Sequence, residues 1–370
     1  MSTGKGFLGQ VSGRPNLRVI KNAVVTRINF GKSKKTVDSV SFVLRKNQTL
    51  QVNIKKELVL SAGTIDSAKL LLLSGVGPKK HLKSLQIPVL HDLPVGENLQ
   101  DHVVVPIFFQ LETNTADPLT EKQMLDGIYD YLIHRRGPLS SHFLIALTAF
   151  INTVEGSKSP YPDIEYHHLL IQRGDYFSMR LYIESVGFSE EYGQYLLKII
   201  SSSNILVVLN ILAHPKSIGN IKLRSTDYRD APKIFANYLK ESADQQTLLR
   251  GIHHLMKMEQ TKAFLAKEAQ LMQVPIAQCD QHEFRSDSYW LCYIRYFTLT
   301  LYHHTGTVKM GSASNRNSCV SPRLLLRGVN NLRVADASIM PDVPSCNTNA
   351  PTIMVAEKAA DFITEDQKAT

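Results

Sequence analysis

The sequence predicts an α/β protein in two parts, one assembled from both ends of the chain and one of a different, turn-rich pattern between them. Three observations carry this. Residues 52–61 read as a strand that stops at Ala62-Gly63, and residues 64–74 then read as a helix, with Thr64 or Asp66 near its cap and Gly75 closing it. Near the other end, residues 332–335 form a short, largely apolar run that stops at Asp336 and small residues. A buried parallel strand delivers its carboxyl end to a site in this way. Between about residues 103 and 300 the pattern changes, and apolar runs such as 205–212 are separated by polar, turn-rich stretches.

The remaining elements follow in order. Residues 16–30 and 38–45 read as strands joined by the polar turn Gly31-Lys32-Ser33-Lys34-Lys35. Gly77-Pro78 breaks the chain after the helix, and residues 82–93 form a short connecting segment. Helical patterns occur at 121–134 and 242–270, and residues 214–223 look like a turn into a strand. Trp290 and Tyr293 read as core aromatics. The loop Pro344-Ser345-Cys346-Asn347-Thr348-Asn349 runs into a helix with Pro351 in its first turn. Such a helix start offers free backbone N–H groups to an anionic or electron-rich ligand.

Bulk properties narrow the function classes. A chain of 370 residues buries a large core and has room for two domains. Its net charge of +9 comes from scattered basic pairs such as Lys34-Lys35 and Lys79-Lys80, which describes a solvated surface and not a nucleic-acid-binding patch. No apolar stretch reaches the roughly 18 residues of a membrane span. The opening residues are too polar for a signal peptide, which leaves the compartment open and secretion of a longer parent possible. Cys279, Cys292, Cys319 and Cys346 lack metal-ligand spacing, no metal site is expected, and nothing in the spacing requires a disulfide. Asn47-Gln48-Thr49 is a glycosylation sequon, meaningful only in a secreted protein.

A literal Gly-x-Gly-x-x-Gly occurs at Gly4, Gly6 and Gly9. Only three residues precede it, so no strand feeds the turn, and no acidic residue follows about 20 positions on to bind a ribose. It is read as a decoy.

Three motifs together resemble the glucose–methanol–choline (GMC) oxidoreductases, particularly their insect glucose-dehydrogenase-like members. The first is Tyr302-His303-His304-Thr305-Gly306-Thr307 together with the Asp336-Ala337-Ser338 strand end and the 344–349 loop. The second is Gly63-Thr64-Ile65-Asp66-Ser67-Ala68-Lys69-Leu70-Leu71-Leu72-Leu73-Ser74-Gly75-Val76-Gly77, which departs from the family's signature at Ala68, where Pro or Ser is usual. The third is Val95-Gly96-Glu97-Asn98-Leu99-Gln100-Asp101-His102. Similarity runs from about the N-terminus to Phe362 and is weakest between residues 110 and 205.

The resemblance implies an FAD-binding, Rossmann-like domain made of residues 1–103 and 302–370. A substrate domain of antiparallel sheet and helices (104–301) stands between them. The FAD domain is expected to be incomplete, because the family's Gly-rich pyrophosphate turn belongs upstream of Met1. His303 is the implied base for an alcohol hydroxyl and Asn347 the implied donor to the substrate oxygen; histidine titrates near neutrality and an amide donates without titrating. His304 stands where Pro is common in relatives and reads as a neighbour. Val25, Ala62, Gly63, Asp336, Ala337, Asn349 and Thr352 are the implied FAD contacts.

The implied reaction is oxidation of a CH–OH donor, an alcohol or sugar, with hydride passing to the flavin and then to oxygen or a quinone. A second reading stays open at this point: a truncated or degenerate relative that binds no flavin by itself.

Overall fold

The computed structural model describes residues 2–44, 48–112, 119–140 and 145–368. The chain forms two compact units. The first comprises Met1–Gly96, Ile221–Lys233 and Val308–Ile339, and the second Glu97–Asn220, Ile234–Thr307 and Met340–Thr370. The first unit thus does draw on distant parts of the chain. The boundaries expected at 103/104 and 301/302 lie inside the second unit, because residues 100–104 and 299–305 pair with each other there. Residues 340–368, expected with the first unit, group with the second.

In the first unit, β1 (Ala23–Phe30), β2 (Val37–Leu44) and β3 (Gln48–Asn53) form an antiparallel meander. The strand expected at 16–30 begins only at Ala23, since residues 16–22 are exposed and join no strand ladder among the described residues. The single strand expected at 52–61 is two. β3 pairs antiparallel with β2, whereas β4 (Leu58–Leu60) pairs parallel with the strand Leu332–Val334. The chain changes partner at Lys55-Lys56, and Glu57 there pairs with the buried Arg333. The helix α1 (Gly63–Leu73) follows β4 directly. Its Ala68 and Leu70 to Leu73 are all buried, as a helix apolar on most sides must be. Ser74 fastens it to the meander by accepting from the Ile28 N–H at 2.9 Å. The connecting segment expected at 82–93 contains the end of a short helix, Lys79–Ser84. Gly4–Leu8 and Gly9–Val11 are helical, so the Gly4/Gly6/Gly9 pattern is not a strand-fed turn.

The second unit is built on an antiparallel sheet. Its order is Gln270–Leu271, β5 (Val103–Leu111), β8 (Asn204–Leu212), β7 (Ile164–Ile171) and β6 (Ile145–Ile151). The short strand β9 (Leu299–Thr300) pairs with the start of β5. A continuous hydrophobic core from Val103 to Phe297 fills this unit and includes Trp290 and Tyr293 on the helix Asp287–Phe297. Side chains alternate across the sheet. Tyr166 donates to Gly251 O and Asn210 to Leu248 O of the helix Ser242–Met258. Glu165 and His167 on β7 therefore face away from that helix. The helical pattern at 121–134 is borne out at Glu121–His134, and that at 242–270 breaks after Met258. Residues 349–368 form the last helix, with Pro351 in its first turn.

Cys279 and Cys292 form a disulfide across a sequence separation of 13, a bond their spacing alone did not require. The sequon residue Asn47 and the strand-end residue Arg45 lie outside the described residues. Among the described residues, no helix is long and apolar enough to cross a membrane.

Candidate functional site

The second unit holds His303. The residue follows β9, whose pairing with β5 sets residues 100–102 alongside residues 301–305. Leu301 N–H donates to His102 O at 3.0 Å, and Gln100 and Thr305 exchange backbone bonds of 3.1 and 2.9 Å. Asp101 is the hub of this strip and is 3% exposed. Its Oδ1 accepts from the His303 backbone N–H at 2.8 Å, and its Oδ2 from the Thr300 hydroxyl at 2.6 Å and from the Tyr238 hydroxyl. His304 Nε2 lies 3.3 Å from the same Oδ2. His304 is thus an Asp101 partner, in keeping with its reading as a neighbour of the base.

The His303 ring meets His102, which is fully buried at the start of β5. Their Nδ1 atoms are 2.9 Å apart, and the rings meet edge-on at 80° with centroids 5.1 Å apart. Burial, and next the neighbouring His102, push the His303 pKa down to about 4, against the raising fields of Asp101 and Glu165. Burial lowers His102 as well, opposed by Glu165, Asp101 and the carbonyls of Ala213 and Pro344. Both rings are therefore neutral at physiological pH.

Glu165 and His167 form a second buried pair, with Oε1 and Nε2 2.8 Å apart and exposures of 1% and 4%. The other atoms of this pair, Glu165 Oε2 and His167 Nδ1, have no hydrogen-bond partner among the described residues. Asp101, His102, Glu165 and His167 were not singled out from the sequence. The Gln100-Asp101-His102 motif was the signal that held the first two.

Asn347 lies exposed in the loop before the last helix. Two residues earlier, the Ser345 hydroxyl is 3.0 Å from His214 Nε2, and the His214 ring meets Tyr161 edge-on. These side chains line a cleft of about 790 Å³ together with Gln100 and Asp342. Asn349 opens the last helix, and Thr352 donates its hydroxyl to Thr348 O at 2.7 Å within it.

The other implied cofactor residues stand in the first unit. The parallel pairing of β4 with Leu332–Val334 brings Ala62-Gly63 and Asp336-Ala337 to the same sheet end. Asp336 is buried. Its Oδ2 accepts from Gly63 N–H at 3.0 Å and from the Ser67 hydroxyl at 2.6 Å, and its Oδ1 from Ser338 N–H at 2.8 Å. Gly63 has φ +82°, and a Cβ there would meet nothing within 4 Å, so the backbone stands open to a close approach. Ser338 Oγ is buried beside it without a partner among the described residues. Val25 is not part of this cluster. It lies on β1 opposite Phe42 and is 43% exposed.

Parallel strand ends beside a helix start are the place where open α/β sheets bind their ligands. The chain belongs to the GMC oxidoreductase family. Two family models, both described as GMC oxidoreductase, match residues 1–104 and 215–356.

Among its relatives, the glucose dehydrogenase [FAD, quinone] of Drosophila pseudoobscura pseudoobscura is 33% identical over 97% of this chain and 55% of its own length. The alcohol dehydrogenase [acceptor] of Pseudomonas putida is 32% identical over 98% of this chain and 60% of its own. The chain thus spans little more than half the length of these curated relatives. A solved structure of formate oxidase from Aspergillus oryzae RIB40 shares the fold, with a TM-score of 0.79 at 24% identity over 97% of this chain and 63% of that one.

Proposed function

We propose that this chain carries the proton-accepting half of an FAD-dependent oxidation of an alcohol or sugar CH–OH group. The observation that supports it best is the His303 imidazole. It is held neutral by burial, its backbone is locked by Asp101, and its ring is braced by His102. A neutral imidazole is the base form, and the carboxylates of Asp101 and Glu165 favour the imidazolium that forms when it takes the hydroxyl proton. Asn347 is proposed as the donor to the substrate oxygen. The cleft at Tyr161, His214 and Ser345 is proposed as the approach for an alcohol or sugar, with these side chains as its hydrogen-bonding groups.

Ala62, Gly63, Asp336 and Ala337 would hold FAD along one strand-end edge, with Val25, Asn349 and Thr352 as further contacts. FAD, when bound, would supply the hydride acceptor. Asp336 serves that edge by tying Gly63 and Ser338 together. Residues 1–103 and 302–370 are proposed as part of the FAD domain, and residues 104–301 as the substrate domain. The relatives' names support a quinone or another acceptor for reoxidation, and oxygen stays the alternative proposed from the family resemblance.

The test is the visible spectrum of the purified chain with and without FAD, followed by alcohol and sugar addition. A bound-flavin spectrum that bleaches with substrate in wild type but not in His303→Ala supports the proposal. Bleaching that persists in His303→Ala removes His303 as the base.

A further inference from the structure

We propose that His102 is a positioning residue that fixes the tautomer of His303, so that Nε2 of His303 is the nitrogen that takes the substrate proton. The catalytic part of this rests on His303 being the base. The tautomer itself follows from geometry.

His102 Nε2 lies 3.2 Å from the carbonyl oxygen of Ala213, just past the end of β8. A carbonyl only accepts, and Nε2 is the ring nitrogen that lies within hydrogen-bond distance of one, so the proton of the neutral His102 ring is on Nε2. Its Nδ1 then presents a lone pair. His303 Nδ1 stands 2.9 Å from that lone pair, and two lone pairs do not face each other at hydrogen-bond distance. His303 therefore carries its own proton on Nδ1 and donates it to His102. Its free lone pair is on Nε2, for which no partner occurs among the described residues.

A solvated neutral histidine favours the opposite form, with the proton on Nε2, which would leave no acceptor at that atom. The chain Ala213 O, His102, His303 thus selects the less common tautomer, in the way a second group on one ring nitrogen decides what the other can do. Burial keeps His102 neutral and so keeps the chain's direction.

The proton balance is simple. The substrate O–H bond breaks, an Nε2–H bond forms, and His303 becomes an imidazolium that still donates its Nδ1–H to His102. No second proton moves. Asp101 acts separately: its hydrogen bond goes to the His303 backbone, and it reaches the ring only through its field.

The test reads the protons directly. Long-range proton–nitrogen correlation spectra of the full chain with ¹⁵N-labelled histidine distinguish protonated from bare ring nitrogens. Single substitutions assign the two residues. At pH 7.5 the expected result is a protonated Nδ1 and bare Nε2 for His303, with the reverse for His102. His102→Phe keeps a ring but removes the acceptor, and His303 should move to the Nε2–H form. His102→Gln can donate its amide to Ala213 O and accept at its carbonyl, and should keep the Nδ1–H form.

A wild-type His303 with Nε2–H, an unchanged tautomer in His102→Phe, or its loss in His102→Gln overturns the inference. If the Phe variant does not fold, the wild-type and Gln spectra decide. In flavin-loaded protein, His102→Phe should lower kcat by about 100-fold with KM little changed, and His102→Gln should restore most of it. Turnover by His303→Ala would remove the catalytic role and leave the spectra unaltered, so the two failures are distinguishable.

Discussion

Replacing Asp101 by Asn tests how far a single buried carboxylate holds the strip that carries His303. Four donors converge on it: the His303 N–H at 2.8 Å on Oδ1, and the Thr300 and Tyr238 hydroxyls and His304 Nε2 on Oδ2. Asn keeps one acceptor. The backbone N–H of His303 cannot reverse its role, whereas both hydroxyls can rotate to accept from the amide. The Asn carbonyl should therefore face His303 and its NH₂ the hydroxyls. What is lost is charge assistance. Bonds to an ionised group contribute about 1.5–3 kcal/mol and neutral ones about 0.5–1.5, a difference of about 1 kcal/mol each. Counting the His303 N–H, Thr300 and Tyr238 bonds as retained but neutral, and leaving the His304 contact aside, the loss is at least about 3 kcal/mol, and Asp101→Ala, which strands the His303 N–H, should lose roughly twice that. Trp290 is the chain's one tryptophan and is buried in the same unit, so its fluorescence during urea unfolding reports the right transition. An Asp101→Asn variant within about 0.5 kcal/mol of wild type would refute the account, since no buried charge-assisted hub could be so cheaply replaced.

Other outcomes follow from the same geometry. His303 has a folded pKa of about 4, below its unfolded value of 6.5, so the folded state binds fewer protons between these limits. Stability should be full above about pH 6.5 and fall as pH drops towards 4, with Asp101, Glu165, His102 and His167 the groups that face the ring. His303→Gln should flatten that slope in urea titrations across the window, and an unchanged slope would contradict the assignment. Gly306 has φ +88°, and a Cβ there would lie 2.4 Å from the Asn98 carbonyl oxygen, so Gly306→Ala should destabilise by more than about 2 kcal/mol. Gly63→Ala meets no atom and should lose only about 1 kcal/mol while weakening FAD binding in a flavin titration; unaltered affinity would take Gly63 out of the site. Reducing the Cys279–Cys292 bond should lower stability by about 3 kcal/mol, as the closure of a loop of that length implies, read by the same Trp290 signal with and without reductant.

Local signals were legible where chemistry is local. The parallel strand at 332–334 was marked by its apolar run and its stop at Asp336, and the helix after Gly63 by its start and stop signals, Thr64 or Asp66 and Gly75. The split of residues 52–61 was not, because Lys55-Lys56 reads as an ordinary polar break and only the two pairing partners, in opposite directions, force the strand apart. The disulfide was equally hidden. Its two cysteines are joined by the packing of one helix against a preceding loop, and spacing carries no trace of that.

The same distinction explains why His303 was found and its supports were not. A histidine between Tyr302 and a Gly-Thr turn can be recognised from six consecutive residues. Asp101 and His102 lie about 200 positions earlier, and what makes them functional is the register of β9 on β5, a property of the sheet and not of either segment. Glu165 and His167 are further removed still, on a strand whose residues 164–167 are buried on both faces, which the sequence of that strand does not announce. The base itself needs only a short motif, but its protonation state, its tautomer and its backbone position are all decided by residues that only the folded sheet brings to it. A variant that keeps the Tyr302–Thr307 motif intact and changes Asp101 or His102 should therefore damage the site as surely as one that changes His303.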